Sequence, residues 1–550
     1  MGLVPGVAQA DPAKPDPRGA SVPDLDLGKA SKDKGHAFTS PAERTVRVPP
    51  AGAKAGAGAE SGARAGVAAE GGSAVAANPN LAVELTGYAT TAHGVELRAT
   101  TTSEDTALKV TVEWGDGASE VLDAAGSTTL VSEHAYAEVG SYKVKVTVAD
   151  AANNTSAVNE VQVVTRGSDF TPYGPTRLLD TRNGTGAPVG SVKPYGSTRV
   201  KVGGNGGIPA GVTAVAMNIT VTNTSADGHI TAFPEGTERP TTSNVNYKAG
   251  QTVPNLVIVP VGKGGYVELA NRGPIQVDLI ADVTGYFSKT ASSGYTPITP
   301  SRFVDTREGL GTARGQLGGR KSFSTQISGL SGVPQGISAV ALNVTVTNPR
   351  EAGHLSVYPG GSATPTASNL NFTAGQTIAN SVIVPVGKDG RISVFNGAWA
   401  GTDVIVDVVG YYSTDSKSAF IPLAPERLVD TRDPEDPVYG PMWGRSYIFM
   451  PLSYTDPSIT GFVLNTTVTN TQGDGHLTVT PDPNHMDDYV NQADEWPTPP
   501  NSSNLNWTKG ATVPNLVQAS TGENGIIDVW NQGWDEIDLV VDLFGLYQQG

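Results

Sequence analysis

The chain reads as an all-β protein: one sandwich followed by three tandem β-sandwich or jelly-roll repeats, behind a disordered N-terminal tether. Three observations predict this. The segment Arg177-Leu178-Leu179-Asp180-Thr181-Arg182 returns as Arg302-Phe303-Val304-Asp305-Thr306-Arg307 and again as Arg427-Leu428-Val429-Asp430-Thr431-Arg432. Asp180 to Asp305 and Asp305 to Asp430 are both 125 positions, the size of a domain with its own core and not of a solenoid repeat of roughly 20–50 residues. Short Val- and Thr-rich runs alternate with turns drawn from 66 Gly and 39 Pro, and no ten-residue amphipathic helix pattern interrupts them.

Composition narrows the function. There are no cysteines, which excludes disulfides, thiol catalysis and Cys-based zinc or iron–sulfur sites. A net charge of −16 opposes a protein that tracks phosphates, so no nucleic acid is expected as partner. No stretch of about 18 apolar residues is present, so no membrane-spanning helix is expected. The charge is uneven. Residues 418–550 hold 18 acidic groups against Arg427, Arg432, Arg445 and Lys509, a balance of 4 − 18 = −14, and five of the 7 tryptophans. The third repeat has diverged from the other two.

The elements follow in order. Residues 1–10 end in Ala8-Gln9-Ala10 before Asp11, which reads as the remnant of a secretory signal. Residues 11–78 are Ala/Gly/Pro-rich text without hydrophobic period, and are read as a disordered linker. Residues 79–166 carry alternating strands such as Tyr142 to Val148, with Lys143 and Lys145 between Val144 and Val146. Three repeats then span 167–290, 291–415 and 416–550. Within the first, Met217, Ile219 and Val221 share one strand face while Asn218, Thr220 and Thr222 share the other.

Two stretches carry resemblances. Glu113-Trp114-Gly115-Asp116-Gly117, His134-Ala135-Tyr136 and Gly140 to Asp150 make residues 79–166 resemble a polycystic-kidney-disease-type (PKD) domain, which implies an Ig-like sandwich that serves mostly as a spacer in secreted and surface proteins. The three in-register blocks resemble the tandem "RLLDTR" repeats of secreted actinobacterial proteins. That resemblance implies an extracellular accessory or surface role and brings no catalytic residues with it.

The repeated polar letters admit more than one reading. Arg177, Asp180, Arg182, Arg302, Asp305, Arg307, Arg427, Asp430 and Arg432 suit a ligand clamp, but more readily a structural ion pair from the first strand to Asp282, Asp407 or Asp542, because copies share a fold and need not share a ligand. The Asn-x-Thr and Ser-Asn-x-Asn strands have polar faces that either brace turns inside each sandwich, the preferred reading, or form an outer amide surface for sugar hydroxyls. His229, His354 and His476 recur without a second ligand at metal spacing, so no metal site and no cofactor is expected. In the third repeat Trp443, Trp496 and Trp534, with Asp487, Asp488 and Asp494 of an insertion from Pro481 to Pro500, form the candidate binding set, with weak calcium binding by the insertion as an alternative and a long loop pinned by its tryptophan as the preferred reading. Trp534 aligns with Trp399. No hydrolase, metalloprotease or P-loop motif is found.

The expectation is therefore a secreted or cell-surface, non-catalytic adhesion protein recognising polysaccharide or cell-surface glycan. The rival is a structural subunit of an extracellular assembly whose third repeat docks a protein. An unrecognised glycan-active enzyme is a distant third.

Overall fold

The computed structural model describes residues 18–19, 37–48 and 78–550, which divide into two compact units, the described residues of 37–167 in one and 18–19 with 168–549 in the other. The first unit is a sandwich of two antiparallel sheets. One sheet runs in the order Ala37–Ser40, Ala82–Ala89, Gly94–Thr102, Thr129–Ala135. The other runs Val46–Val48, Thr155–Val164, Ser141–Asp150, Ala107–Glu113, Ser119–Ala125. Leu85, Leu97, Val110, Val146 and Trp114 fill the space between them.

The linker assignment needs correction. Residues 37–48 are not a tether: Ala37–Ser40 pairs with Ala82–Ala89, Val46–Val48 pairs with Thr155–Val164, and Phe38 packs on the core. Ser40 Oγ donates to buried Asn159 Oδ1 at 2.7 Å, which ties the edge to the interior. Arg18–Gly19 likewise pairs, in parallel, with Ser446–Met450. The rest of the expected linker and the signal remnant lie outside the described residues.

Each repeat is an eight-stranded sandwich. In the first, one sheet has the order Asp169–Asp180, Asp278–Ser288, Ala214–Thr222, Val253–Pro260, and the other Ser197–Lys201, Tyr266–Asn271, Gly228–Pro234, Val245–Tyr247. In chain order within the repeat these are strands 1-8-3-6 and 2-7-4-5, the jelly-roll arrangement of two Greek keys. The second and third repeats have the same order. Met217, Ile219 and Val221 face inward with Leu269, Leu279 and Val283, as their period of two dictates. The third repeat adds a short helix, Met486–Val490, within its insertion.

The polar face of Ala214–Thr222 lies in neither expected place. Asn218 and Thr220 are buried, and Asn218 joins its repeat to the next. Asn380 Nδ2 donates to Asn218 Oδ1 at 3.0 Å, Asn515 Nδ2 to Asn343 Oδ1 at 3.1 Å, and Asn255 Nδ2 to Asn465 Oδ1 at 3.1 Å. These bonds run from repeat two to one, three to two and one to three, so the ring closes. Backbone N–H donors cross the same junctions in the opposite sense: Leu256 N to Asn380 Oδ1, Ser381 N to Asn515 Oδ1 and Leu516 N to Asn255 Oδ1. A third set runs from Asn218, Asn343 and Asn465 to the carbonyls of Ser368, Ser503 and Ser243. The amides thus satisfy one another across the junctions, where a lone buried amide would cost about 1–3 kcal/mol.

Below the amides, Phe170, Phe287, Tyr295, Tyr412, Phe420 and Tyr547 close the centre. Phe170 stacks on Tyr412 at 4.2 Å, Tyr295 lies 4.1 Å from Tyr547 and Phe420 lies 4.6 Å from Phe287, each contact between two repeats. Gln518 Oε1 accepts from the Tyr412 and Tyr547 hydroxyls, both at 2.8 Å, so these buried phenols are satisfied. The three sandwiches form one body about a pseudo-threefold axis.

Candidate binding surface

The Arg-x-x-Asp-Thr-Arg segment crosses from strand to turn and is engaged throughout. Arg177 donates to both oxygens of Asp282 at 2.9 and 3.1 Å and to Asp180 at 3.2 Å. Arg182 grips Asp180 through Nε at 2.9 Å and Nη2 at 2.7 Å, and Thr181 Oγ1 donates to Asp278 at 2.8 Å. Arg302, Asp305 and Arg307 repeat this on Asp407, as do Arg427, Asp430 and Arg432 on Asp542. The hydrogen bond from Arg182 holds the Asp180 carboxyl below its ordinary range. Asp282 behaves oppositely: burial raises it, and Arg177 only partly offsets that.

A polar cleft of about 370 Å³ lies between the second and third repeats, lined by Arg302, Arg307, His476, Asn501 and Gln532 among others. Its arginines are already paired with Asp407 and Asp305, so they leave no unmatched cation for a ligand. His476 sits there neutral, lowered to about 4 by burial and then by Arg445 and Arg302. His229 is lowered by burial and by Arg272 and Arg427. The histidines occupy separate junctions, and among the described residues no three His, Asp or Glu side chains gather to hold a metal ion.

The tryptophans of the third repeat part company. Trp496 is the pin of its loop and not an exposed ring. It packs edge-on against Tyr447 at 4.8 Å and Trp530 at 6.1 Å, while Tyr489 of the short helix stacks on Phe449 at 3.8 Å. The insertion is pinned over the sheet by these rings. Asp488 caps the helix, accepting from His485 N at 2.8 Å, Asp487 is exposed and Asp494 half-buried.

The insertion also covers Asp528, which is fully buried. Burial, with Asp482 beside it, pushes its carboxyl up to about 10. A group raised this way stabilises the fold below the unfolded value near 4, and loses that stability as pH rises toward 10, at about 1.4 kcal/mol per pH unit. Asp528→Asn keeps the shape and removes the ionisable carboxyl. Thermal melts should show the variant several degrees more stable than the parent at pH 8, with the difference shrinking to nothing by pH 4.

Trp534 and Trp399 are the exposed rings, at 78% and 77%. Arg445 lies under Trp534 and Arg320 under Trp399, both 4.4 Å from the ring centroid. One face of each indole is held by a guanidinium and the other meets solvent. A precise local frame positions them. Arg320 and Arg445 take φ of 54° and 60°, a left-handed conformation unusual outside glycine. Gly319 and Gly444 precede them because a Cβ there would meet Trp399 O at 1.9 Å and Trp534 O at 2.3 Å. Asn531 Nδ2 donates to the carbonyls of Met442, Trp443 and Asp535, which locks the turn bearing Trp443 to the turn bearing Trp534. Asn396 does the same around Trp399. Trp443 itself is 48% exposed. In the first repeat the arginine position holds Tyr195, also at positive φ and exposed. The stacked arginines escaped sequence analysis; their signal is an Arg after Gly, just ahead of the second strand of each repeat that carries the tryptophan.

No protein-family profile matches the sequence, and no curated protein matches it. Solved structures align with it at low TM-scores. A structure described as "Structural basis for the promiscuous specificity of the carbohydrate-binding modules from the beta-sandwich super family" aligns at 14% identity over 37% of this chain and 96% of its own, with a TM-score of 0.15. A structure described as "The Triple Jelly Roll Fold and Turret Assembly in an Archaeal Virus" aligns at 11% identity over 70% of this chain and 90% of its own, TM-score 0.14. A SusE-like protein aligns at 9% identity over 38% and 96%, TM-score 0.12. Scores this low carry no functional argument.

Proposed function

We propose that this is a secreted or cell-surface, non-enzymatic binding protein that recognises polysaccharide through the exposed aromatic platforms of its second and third repeats. The observation that carries it is Trp534 and Trp399, nearly fully exposed and each fixed by an arginine beneath. A pyranose ring has apolar C–H faces that lie flat on an indole, and a ring already held in place loses little side-chain freedom on binding. Trp443, tied to Trp534 by Asn531, extends the third-repeat platform. Two platforms on one rigid body raise the avidity for a repeating polymer. Trp496 drops out of the set, since its ring belongs to the packing of the insertion. The likenesses to PKD-type spacers and to secreted actinobacterial repeats agree with an extracellular site of action.

Depletion of the protein from solution by cellulose, chitin, xylan and purified cell wall tests this. At least one polymer should retain the intact protein, and Trp534→Ala should weaken retention about tenfold, or ~1.4 kcal/mol, with its melting temperature unchanged. Equal retention of the variant would refute the platform. No retention, with stoichiometric capture of another protein, would favour the assembly role, and release of soluble sugar would overturn the non-enzymatic reading.

A further inference from the structure

On the side of the amide ring away from the aromatic centre, the same axis opens into a cavity of about 360 Å³. Its walls are built in triplicate: Asn246, Asn371 and Asn506, then Thr252, Thr377 and Thr512, then Val253, Ile378 and Val513. The last trio sits two residues ahead of Asn255, Asn380 and Asn515, so the buried amide ring closes the floor. Exposed Gly250, Thr373 and Thr508 stand at the mouth. The cavity therefore has one entrance.

Three details define what it takes. No lining residue is ionisable, so the site suits a neutral ligand. The Oδ1 atoms of Asn246, Asn371 and Asn506 are buried and have no hydrogen-bond partner, one from each repeat. The threonine hydroxyls are by contrast already used: Thr252, Thr377 and Thr512 bond Thr222, Thr347 and Thr469 at 2.7 to 2.8 Å. The three Oδ1 atoms are shut off from the cavity, so the carboxamides offer a ligand their Nδ2 donors, which suit the hydroxyl and ring oxygens of a neutral sugar. Phe372 and Trp507 add ring edges, and Val253, Ile378 and Val513 make the deep end of the wall apolar. The volume lies near the lower end of the ~300–1,000 Å³ typical of small-molecule sites.

We propose that this axial cavity is a second binding site, which takes the terminal one or two neutral sugar units of a glycan chain end-on. The inference rests on the glycan-binding reading of the platforms and adds a distinct mode, because a blind cavity admits a chain end while an exposed ring stacks on the middle of a chain.

The experiment titrates the full chain by calorimetry with cello-, chito-, xylo-, malto- and mannotriose, and with trigalacturonate as the charged control. At least one neutral trisaccharide should bind and trigalacturonate should not. Asn371→Leu should weaken that binding at least tenfold. Thr373→Trp, an exposed rim change that leaves the interior untouched, should do the same, with a melting curve recorded for each variant. Unchanged affinity in Thr373→Trp overturns the proposal. So does the failure of every trisaccharide to bind a protein that polymers still retain, an outcome that leaves the platforms standing. Failure of trisaccharides and polymers together removes both readings.

Discussion

Replacing Asn380 with Leu should destabilise the repeat body by on the order of 4 kcal/mol. The side chain donates to Asn218 Oδ1 at 3.0 Å and to Asn369 O at 2.5 Å, and accepts from Leu256 N at 3.3 Å. Leucine has nearly the same shape, so little cavity forms and the loss is polar. Three partners remain inside with nothing to bond, each at about 1–3 kcal/mol. Two of them belong to the first repeat, so the damage crosses the junction. Urea unfolding reads the effect as a lower midpoint at unchanged slope. A change under 1 kcal/mol would mean that water reaches these amides and that the ring carries little load.

Arg302→Met should be the other severe variant, at roughly 3–5 kcal/mol, because removing one partner of a buried ion pair strands the other. Asp407 is fully buried, and burial already raises its carboxyl against the pull of Arg302. Without the guanidinium it rises further. The folded state of the variant then holds a proton that the unfolded chain has released, so its stability is greatest below pH 4 and declines as pH climbs. The deficit should accordingly be small at pH 3.5 and full at pH 7.5. Arg302→Met combined with Asp407→Leu should recover much of the loss, since the charge that needed compensation is gone. Unfolding curves at the two pH values for parent, single and double variants test both statements.

What could be read from the sequence follows from the range of each interaction. A period of two is local, so the inner faces of strands such as Ala214–Thr222 were plain. The placement of Asn218 was not. A strand pattern shows that a face is polar but not which surface covers it, and the covering surface here is another copy of the same fold. Residues 37–48 were missed because two short strands sit beside Ala/Gly-rich text that dilutes any pattern around them. Trp496 admitted two readings, an exposed ring or the pin of a long loop, and its immediate neighbours did not decide between them. Acidic neighbours suggested solvent, while the informative letters lay elsewhere: Ser446-Tyr447-Ile448-Phe449-Met450 is apolar on both faces, where Ser197-Thr198-Arg199-Val200-Lys201 and Ser322-Phe323-Ser324-Thr325-Gln326 have a wet one. A strand that loses its wet face announces that something covers it. The platforms were half visible, as Trp534 and its counterpart Trp399, but a cation beneath a ring depends on a turn geometry that residue type alone does not reveal.

The repeated Asn residues weld three sandwiches into one body while the Arg–Asp pairs brace each sandwich, and the proposed recognition lies on surfaces that this body holds still. Scanning calorimetry of the full chain, with and without Asn380→Leu, tests the weld most directly. One cooperative transition should account for Ser168–Gln549, with an enthalpy of about 0.7 kcal/mol per residue and equal van't Hoff and calorimetric values, and the variant should shift all of it downward. Three successive transitions, of which the substitution moves only one, would contradict it.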